Sequence, residues 1–189
     1  MQTLRNYIDG AFTDSVTKKT FDVFNPATRE VIAKAPDPNP EDVDRAVDAA
    51  AAAFESWSLT TPQTRSLALL RIADIIDANA DELGRLESSQ TGKPTQAAID
   101  EMAVSSGLFR FFAGACRVPE GLAVTEYLEG HTSMVRRDPV GVVASIAPWN
   151  YPLYMAAWKL GPALATGNTV VLKPAAATPL SALRFAELV

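Results

Sequence analysis

Val140-Gly141-Val142-Val143-Ala144-Ser145-Ile146 is a short, nearly uninterrupted apolar run. A strand with one wet face alternates apolar and polar residues. A strand covered on both faces does not, so this run predicts a buried parallel strand. Downstream, residues 153–165 carry a helical pattern, and Gly167-Asn168 ends it. Residues 169–172 read as a second buried strand, and Thr178-Pro179 opens another helix. Strand, helix, strand, helix is the beginning of a doubly wound α/β sheet.

Upstream the pattern is different. Residues 7–31 alternate apolar and polar, and Asp9-Gly10 lies between Tyr7-Ile8 and Ala11-Phe12, which is hairpin chemistry. Asn25-Pro26-Ala27-Thr28 reads as a second turn, and Pro36, Pro38 and Pro40 as a rigid connector. Four helices follow. Asn39 caps the first, with Pro40, Glu41 and Asp42 in its opening turn, and Val43, Ala46, Val47, Ala50 and Phe54 form its apolar face to about Trp57. Thr61-Pro62 starts the second, whose apolar face is Leu67, Leu70, Ile72, Ile75 and Ile76. The third spans about 80–91 and stops at Gly92, a left-handed cap. The fourth spans about 95–115 and is rich in Leu108, Phe109, Phe111 and Phe112. Residues 122–127 and 132–137 read as strands around Glu129-Gly130-His131.

Composition narrows the class. Of 189 residues 48% are hydrophobic and 21% charged, which describes a core-forming chain and not a disordered one. A formal charge of -5 gives no global attraction to nucleic acid or to an anionic membrane. One Cys and one His exclude a disulfide framework and a zinc site built from several such ligands. The first residues carry no signal-peptide pattern, and no charge-free run of about twenty apolar residues spans a membrane. A reduced, cytoplasmic setting is expected.

Ligands in open parallel sheets sit at the carboxyl ends of the strands. Two such ends are visible: Ala147-Pro148-Trp149-Asn150-Tyr151-Pro152 and Lys173-Pro174-Ala175-Ala176. Each sets a polar side chain beside proline-stiffened backbone, which suits a site that holds one group accurately. By pattern alone Asn150 and Lys173 read equally as solvated or capping loop residues, and no Gly-x-Gly-x-x-Gly follows Ile146.

Ser145-Ile146-Ala147-Pro148-Trp149-Asn150-Tyr151-Pro152, then Ala157-Trp158-Lys159, Gly167-Asn168 and Val170-Val171-Leu172-Lys173-Pro174-Ala175, resemble the aldehyde dehydrogenase superfamily. Asn25-Pro26-Ala27-Thr28 and Thr91-Gly92-Lys93-Pro94 fit the same family at the same spacing, so the resemblance covers nearly the whole chain. Residues 127–132 with Arg136-Arg137-Asp138-Pro139 further resemble the bacterial aminobutyraldehyde dehydrogenases, with betaine aldehyde dehydrogenases next. The resemblance implies the amino-terminal, incomplete part of that α/β fold. Residues 1–118 and 139–189 would form a Rossmann-like cofactor-binding domain, and residues 119–138 an oligomerisation hairpin.

The implied chemistry is NAD-dependent oxidation of a small aldehyde, such as 4-aminobutyraldehyde, to its carboxylate through a cysteine thiohemiacetal. Asn150 matches the side-chain amide donor to the oxyanion, and Lys159 a buried lysine on the proton path of the general base. Ile146, Ala147, Pro148 and Trp149 match cofactor contacts, Lys173 the donor to the adenosine ribose, and Pro174, Ala175 and Ala176 the rest of that loop. Ala176 stands where many NAD-preferring members carry a glutamate that repels a 2′-phosphate, so NADP is expected to be tolerated. Gln90 is neutral where some members hold a monovalent cation with an acidic residue, so no metal is expected.

The family's nucleophilic cysteine and general-base glutamate are expected beyond Val189, and Cys116 and His131 read as packing and turn residues. A homo-oligomer is expected for the complete enzyme, and no activity for the chain alone. The alternative is a non-catalytic, truncated cofactor-fold or interaction module. An acyl-CoA-forming relative fits Pro148-Trp149-Asn150 less well. Tyr154 and Trp158, one helical turn apart, read as core residues or as aromatic walls for a cationic aldehyde.

Overall fold

The computed structural model describes residues 2–37, 39–118 and 124–189. In chain order its elements are β1 (Gln2–Thr3), β2 (Asn6–Ile8), β3 (Ala11–Thr13), β4 (Thr20–Phe24) and β5 (Val31–Pro36), then the helices α1 (Pro40–Trp57), α2 (Pro62–Ala78), α3 (Ala80–Thr91) and α4 (Thr95–Ala115). The hairpin β6 (Thr125–Leu128) and β7 (His131–Ser133) precedes β8 (Val142–Ile146), α5 (Pro152–Ala165), β9 (Thr169–Lys173) and α6 (Leu180–Leu188).

Local chemistry sets the boundaries. Asp9 and Gly10 both take positive φ, 53° and 71°, so β2 and β3 pair antiparallel with Ile8 opposite Ala11. The turn between β4 and β5 is held by Asn25, whose Oδ1 accepts from the Ala27 N–H at 2.9 Å. Asn39 caps α1 by accepting from Asp42 N–H, and Thr61 caps α2 by accepting from Thr64 N–H. Gly92 closes α3 at φ 77°.

The main core lies among α2, α3, α4, α5 and α6, where Leu69, Ile76, Leu83, Met102, Phe109 and Leu153 are wholly buried. A smaller cluster of Leu4, Val23, Ala33, Ala35 and Leu180 joins the β1–β5–β4 sheet to α6. β8 and β9 pair in parallel, Val142 opposite Thr169 and Ile146 opposite Lys173, and both α1 and α5 pack on them. Asn168 closes this strand–helix–strand unit. Its Oδ1 accepts from Val140 N–H at 2.7 Å and from Gly141 N–H at 3.0 Å. No helix of the described residues is long and apolar enough to cross a membrane.

Several expectations are corrected. The strand expected over 140–146 begins at Val142 and is only partly buried, with Ile146 69% exposed, because β8 and β9 form a two-stranded sheet. The apolar face expected for α1 is largely uncovered, with Val43 and Val47 exposed and Asp42 the buried residue of that helix. In α2 the buried stripe is Ser66, Leu69, Ile72, Ala73 and Ile76, whereas Leu67 and Leu70 are exposed. The hairpin strands are shorter than 122–127 and 132–137. Pro38 and residues 119–123, and with them the start of the expected first hairpin strand, lie outside the described residues.

Candidate functional site

β8 and β9 end side by side. The Ala147 N–H donates to the Lys173 carbonyl at 3.0 Å, one step beyond the Ile146–Lys173 pair. The two loops singled out from sequence therefore leave one edge of one sheet together. Ala147 is buried and Pro148, Pro174 and Ala175 are half-buried, while Ile146, Trp149, Asn150, Lys173 and Ala176 are exposed. Trp149 and Ala176 share a cavity of about 390 Å³ with Phe24, Pro26, Gln90 and Thr91. Asn150 and Lys173 lie outside its lining. Lys173 Nζ donates to the Pro174 carbonyl at 2.7 Å.

Lys159, expected to be buried, is half-buried, and it lies seven residues into α5 from Pro152, about 10 Å along the axis at 1.5 Å per residue. The aromatic pair foreseen on α5 belongs to a longer ladder. Tyr151–Tyr154, Tyr154–Trp158 and Trp158–Phe112 meet edge to face with ring centroids 5.9, 6.3 and 6.1 Å apart. Trp158 is 43% exposed, so the ladder has an open side. Lys93, from the Thr91-Gly92-Lys93-Pro94 turn, places Nζ 4.3 Å from the Tyr151 ring centre and pairs with Glu101.

Sequence reasoning missed a buried polar cluster beneath the two loops. Glu87 of α3 is wholly buried. Its Oε1 accepts from the Leu153 N–H in the first turn of α5 at 3.0 Å, and its Oε2 accepts from Ser181 Oγ in the first turn of α6. Gln90, one turn along α3, accepts from the Leu180 N–H at 2.8 Å and donates to Ser181 Oγ at 2.7 Å and to Glu87 at 3.2 Å. Burial pushes the Glu87 carboxyl above its ordinary value. Its donors Ser181, Leu153 N–H and Gln90 and the charge of Lys93 oppose that rise without cancelling it. The signal in sequence is the spacing. Leu83, Glu87 and Gln90 fall at i, i+4 and i+7, on the stripe that a helix buries.

Cys116 packs against the core at the end of α4, as expected, whereas His131, expected in the turn, is the first residue of β7. Burial pushes the Cys116 thiol up, outweighing the nearby Arg65 and Arg117 charges, and its Sγ–H donates to the Ala113 carbonyl at 3.3 Å. A thiol held protonated is a poor nucleophile. His131 Nδ1 lies 3.0 Å from the Glu129 carbonyl across the hairpin turn.

The family description "Aldehyde dehydrogenase family" matches residues 12–189, and the chain belongs to that family. It is 47% identical to a mitochondrial aldehyde dehydrogenase of Leishmania tarentolae over 96% of this chain and 36% of that protein. It is 42% identical to the NADP/NAD-dependent aldehyde dehydrogenase PuuC of Escherichia coli, over 97% of this chain and 38% of that protein. Among solved structures, betaine aldehyde dehydrogenase of Staphylococcus aureus in complex with NAD+ superposes with a TM-score of 0.93 at 41% identity, covering 97% of this chain and 37% of that one. The chain thus spans less than two-fifths of the length of these relatives.

Proposed function

We propose that this chain supplies the nicotinamide-cofactor loops and one oxyanion donor of an enzyme that oxidises an aldehyde to its carboxylate. The observation that carries this is the register setting Ile146 beside Lys173, which sends two proline-stiffened loops from one sheet edge with Asn150 and Lys173 exposed. That donor set fits a dinucleotide: an ammonium for ribose hydroxyls, and apolar Ile146, Trp149 and Ala176 surfaces beside it. Relatives with this sequence and fold include a NADP/NAD-dependent enzyme and an NAD+ complex.

NAD+ would supply the hydride acceptor, and Ile146, Ala147, Pro148, Trp149, Lys173, Pro174, Ala175 and Ala176 would hold it. Ala176 brings no carboxylate to repel a 2′-phosphate, so NADP+ also enters. The Asn150 amide donates to the aldehyde oxygen as that oxygen gains charge. Lys159 serves the proton path of the general base. Cys116, whose thiol burial pushes up, is not assigned as the attacking thiol. The substrate is a short amino- or trimethylamino-aldehyde such as 4-aminobutyraldehyde, its cation taken by the open faces of Tyr154 and Trp158. Residues 119–138 serve assembly into a homo-oligomer, beside a cofactor-binding domain of residues 1–118 and 139–189. The lone free thiol suits the cytoplasm.

Calorimetric titration of the complete enzyme with NAD+ and NADP+ tests the cofactor assignment. Both should bind, and Lys173→Ala should weaken both about tenfold, the worth of one charge-assisted hydrogen bond. A folded chain that binds neither would favour the non-catalytic interaction module instead.

A further inference from the structure

The N–H groups in the first turn of a helix have no partner within the helix and need an outside acceptor. Neither α5 nor α6 provides one locally: Tyr151 and Pro179 stand at their cap positions, and neither makes a side-chain cap bond. The acceptors come from α3. Glu87 takes the Leu153 N–H of α5, and Gln90 takes the Leu180 N–H of α6. Ser181, also wholly buried, ties the two together by donating to Glu87 and accepting from Gln90.

We propose that Glu87 and Gln90 are positioning residues that lock the two active-site loops to each other by capping both following helices from a single turn of α3. The proposal rests on reading those loops as the cofactor and oxyanion site. Leu153 follows Asn150 by three residues, and Leu180 follows Lys173 by seven, so each loop runs from a paired strand end to a clamped helix start. With both ends fixed, the loop has little freedom left. A buried carboxyl is a costly way to gain stability, since a well-packed apolar side chain does as well or better. What an apolar side chain cannot do is accept hydrogen bonds at two helix starts. The carboxyl also lies where both helix dipoles favour negative charge.

The test uses the complete enzyme that carries this segment and residue-resolved amide exchange at Leu153 and Leu180, with NAD+ affinity measured on the same samples. Glu87→Ala should speed exchange at both amides about tenfold or more while the Leu69 and Phe109 amides of the core keep their protection. Gln90→Leu should release Leu180 and leave Leu153 protected. Glu87→Gln, which keeps a carbonyl for Leu153, should restore protection there and with it most of the NAD+ affinity lost in Glu87→Ala. Exchange at Leu153 and Leu180 within twofold of wild type in Glu87→Ala overturns the proposal. So does loss of protection throughout the core in the Gln90→Leu and Glu87→Gln chains, which would make the cluster a general support of the fold. Lys173→Ala separates this from the cofactor assignment, because it should lower NAD+ affinity and leave both amides protected. If Lys173→Ala leaves NAD+ affinity unchanged, the cofactor assignment fails, while the exchange data still decide whether the clamp exists.

Discussion

Asn150 carries its amide on an exposed loop, two residues before Pro152 begins a helix. In the role proposed for it, that amide acts on charge that appears only in the transition state. In the complete enzyme Asn150→Ala should therefore lower turnover by about 10²–10³-fold with cofactor affinity nearly unchanged, as paired kinetics and calorimetry would show. On the proposed cofactor site, Ala176 stands where the choice between NAD+ and NADP+ is made. Ala176→Glu should shift relative kcat/KM toward NAD+ by roughly tenfold, since a carboxylate gains a ribose hydroxyl and repels a 2′-phosphate. Glu87 governs a pH dependence. Burial raises its folded-state value, so the folded chain retains a proton that the unfolded chain has released. The associated stability is complete below the unfolded value and is lost as pH rises through the folded one. Melting temperatures of wild type measured against Glu87→Gln should fall across that window. A rise would mean that the donors outweigh burial. That Asn150 and Lys173 lie at the ends of two neighbouring parallel strands was legible in the sequence, because an apolar run marks each strand. Glu87 was not, because a glutamate in Leu86-Glu87-Ser88-Ser89 reads as solvated until partners 66 and 94 residues away are known.

Among the elements, α3 and α4 approach closely at Gly84, where an added Cβ would stand 2.6 Å from the Ile99 Cα. Backbone cannot yield as a flexible side chain can. Gly84→Ala should cost about 1–3 kcal/mol in denaturant unfolding, the usual range for overpacking. Gly107, exposed within α4, has nothing within 4 Å of the same position, and Gly107→Ala should add about 0.5–1 kcal/mol. Equal effects at the two positions would remove the close-approach explanation. Helix boundaries were readable at Pro40 and Gly92 because the Asn39 cap and the left-handed glycine are local chemistry. Burial was less readable. Val43, Leu67 and Ile146 are apolar and exposed, since what covers a face is decided by elements elsewhere, and periodicity names only the face.

On the scale of the whole molecule, the uncovered apolar residues and the two-stranded β8–β9 sheet describe surfaces suited to further contact. Each strand of that sheet has an unpaired edge among the described residues, and such edges recruit other chains. The 189-residue chain expressed by itself should self-associate, eluting as a broad, high-mass distribution in size-exclusion chromatography. A sharp monomer peak with cooperative melting would mark it as a self-sufficient domain. The clamp at Glu87 also has a consequence in time. Its two partners follow it by 66 and 94 residues, so during synthesis α3 is made well before either exists. At about 5–20 residues per second, the last partner arrives roughly 5–20 s later. Through that interval a water-loving carboxyl stands on the stripe that will become interior. It discourages the nascent α3 from collapsing onto a wrong apolar neighbour and keeps its place open until the ribosome has delivered Leu153 and Ser181.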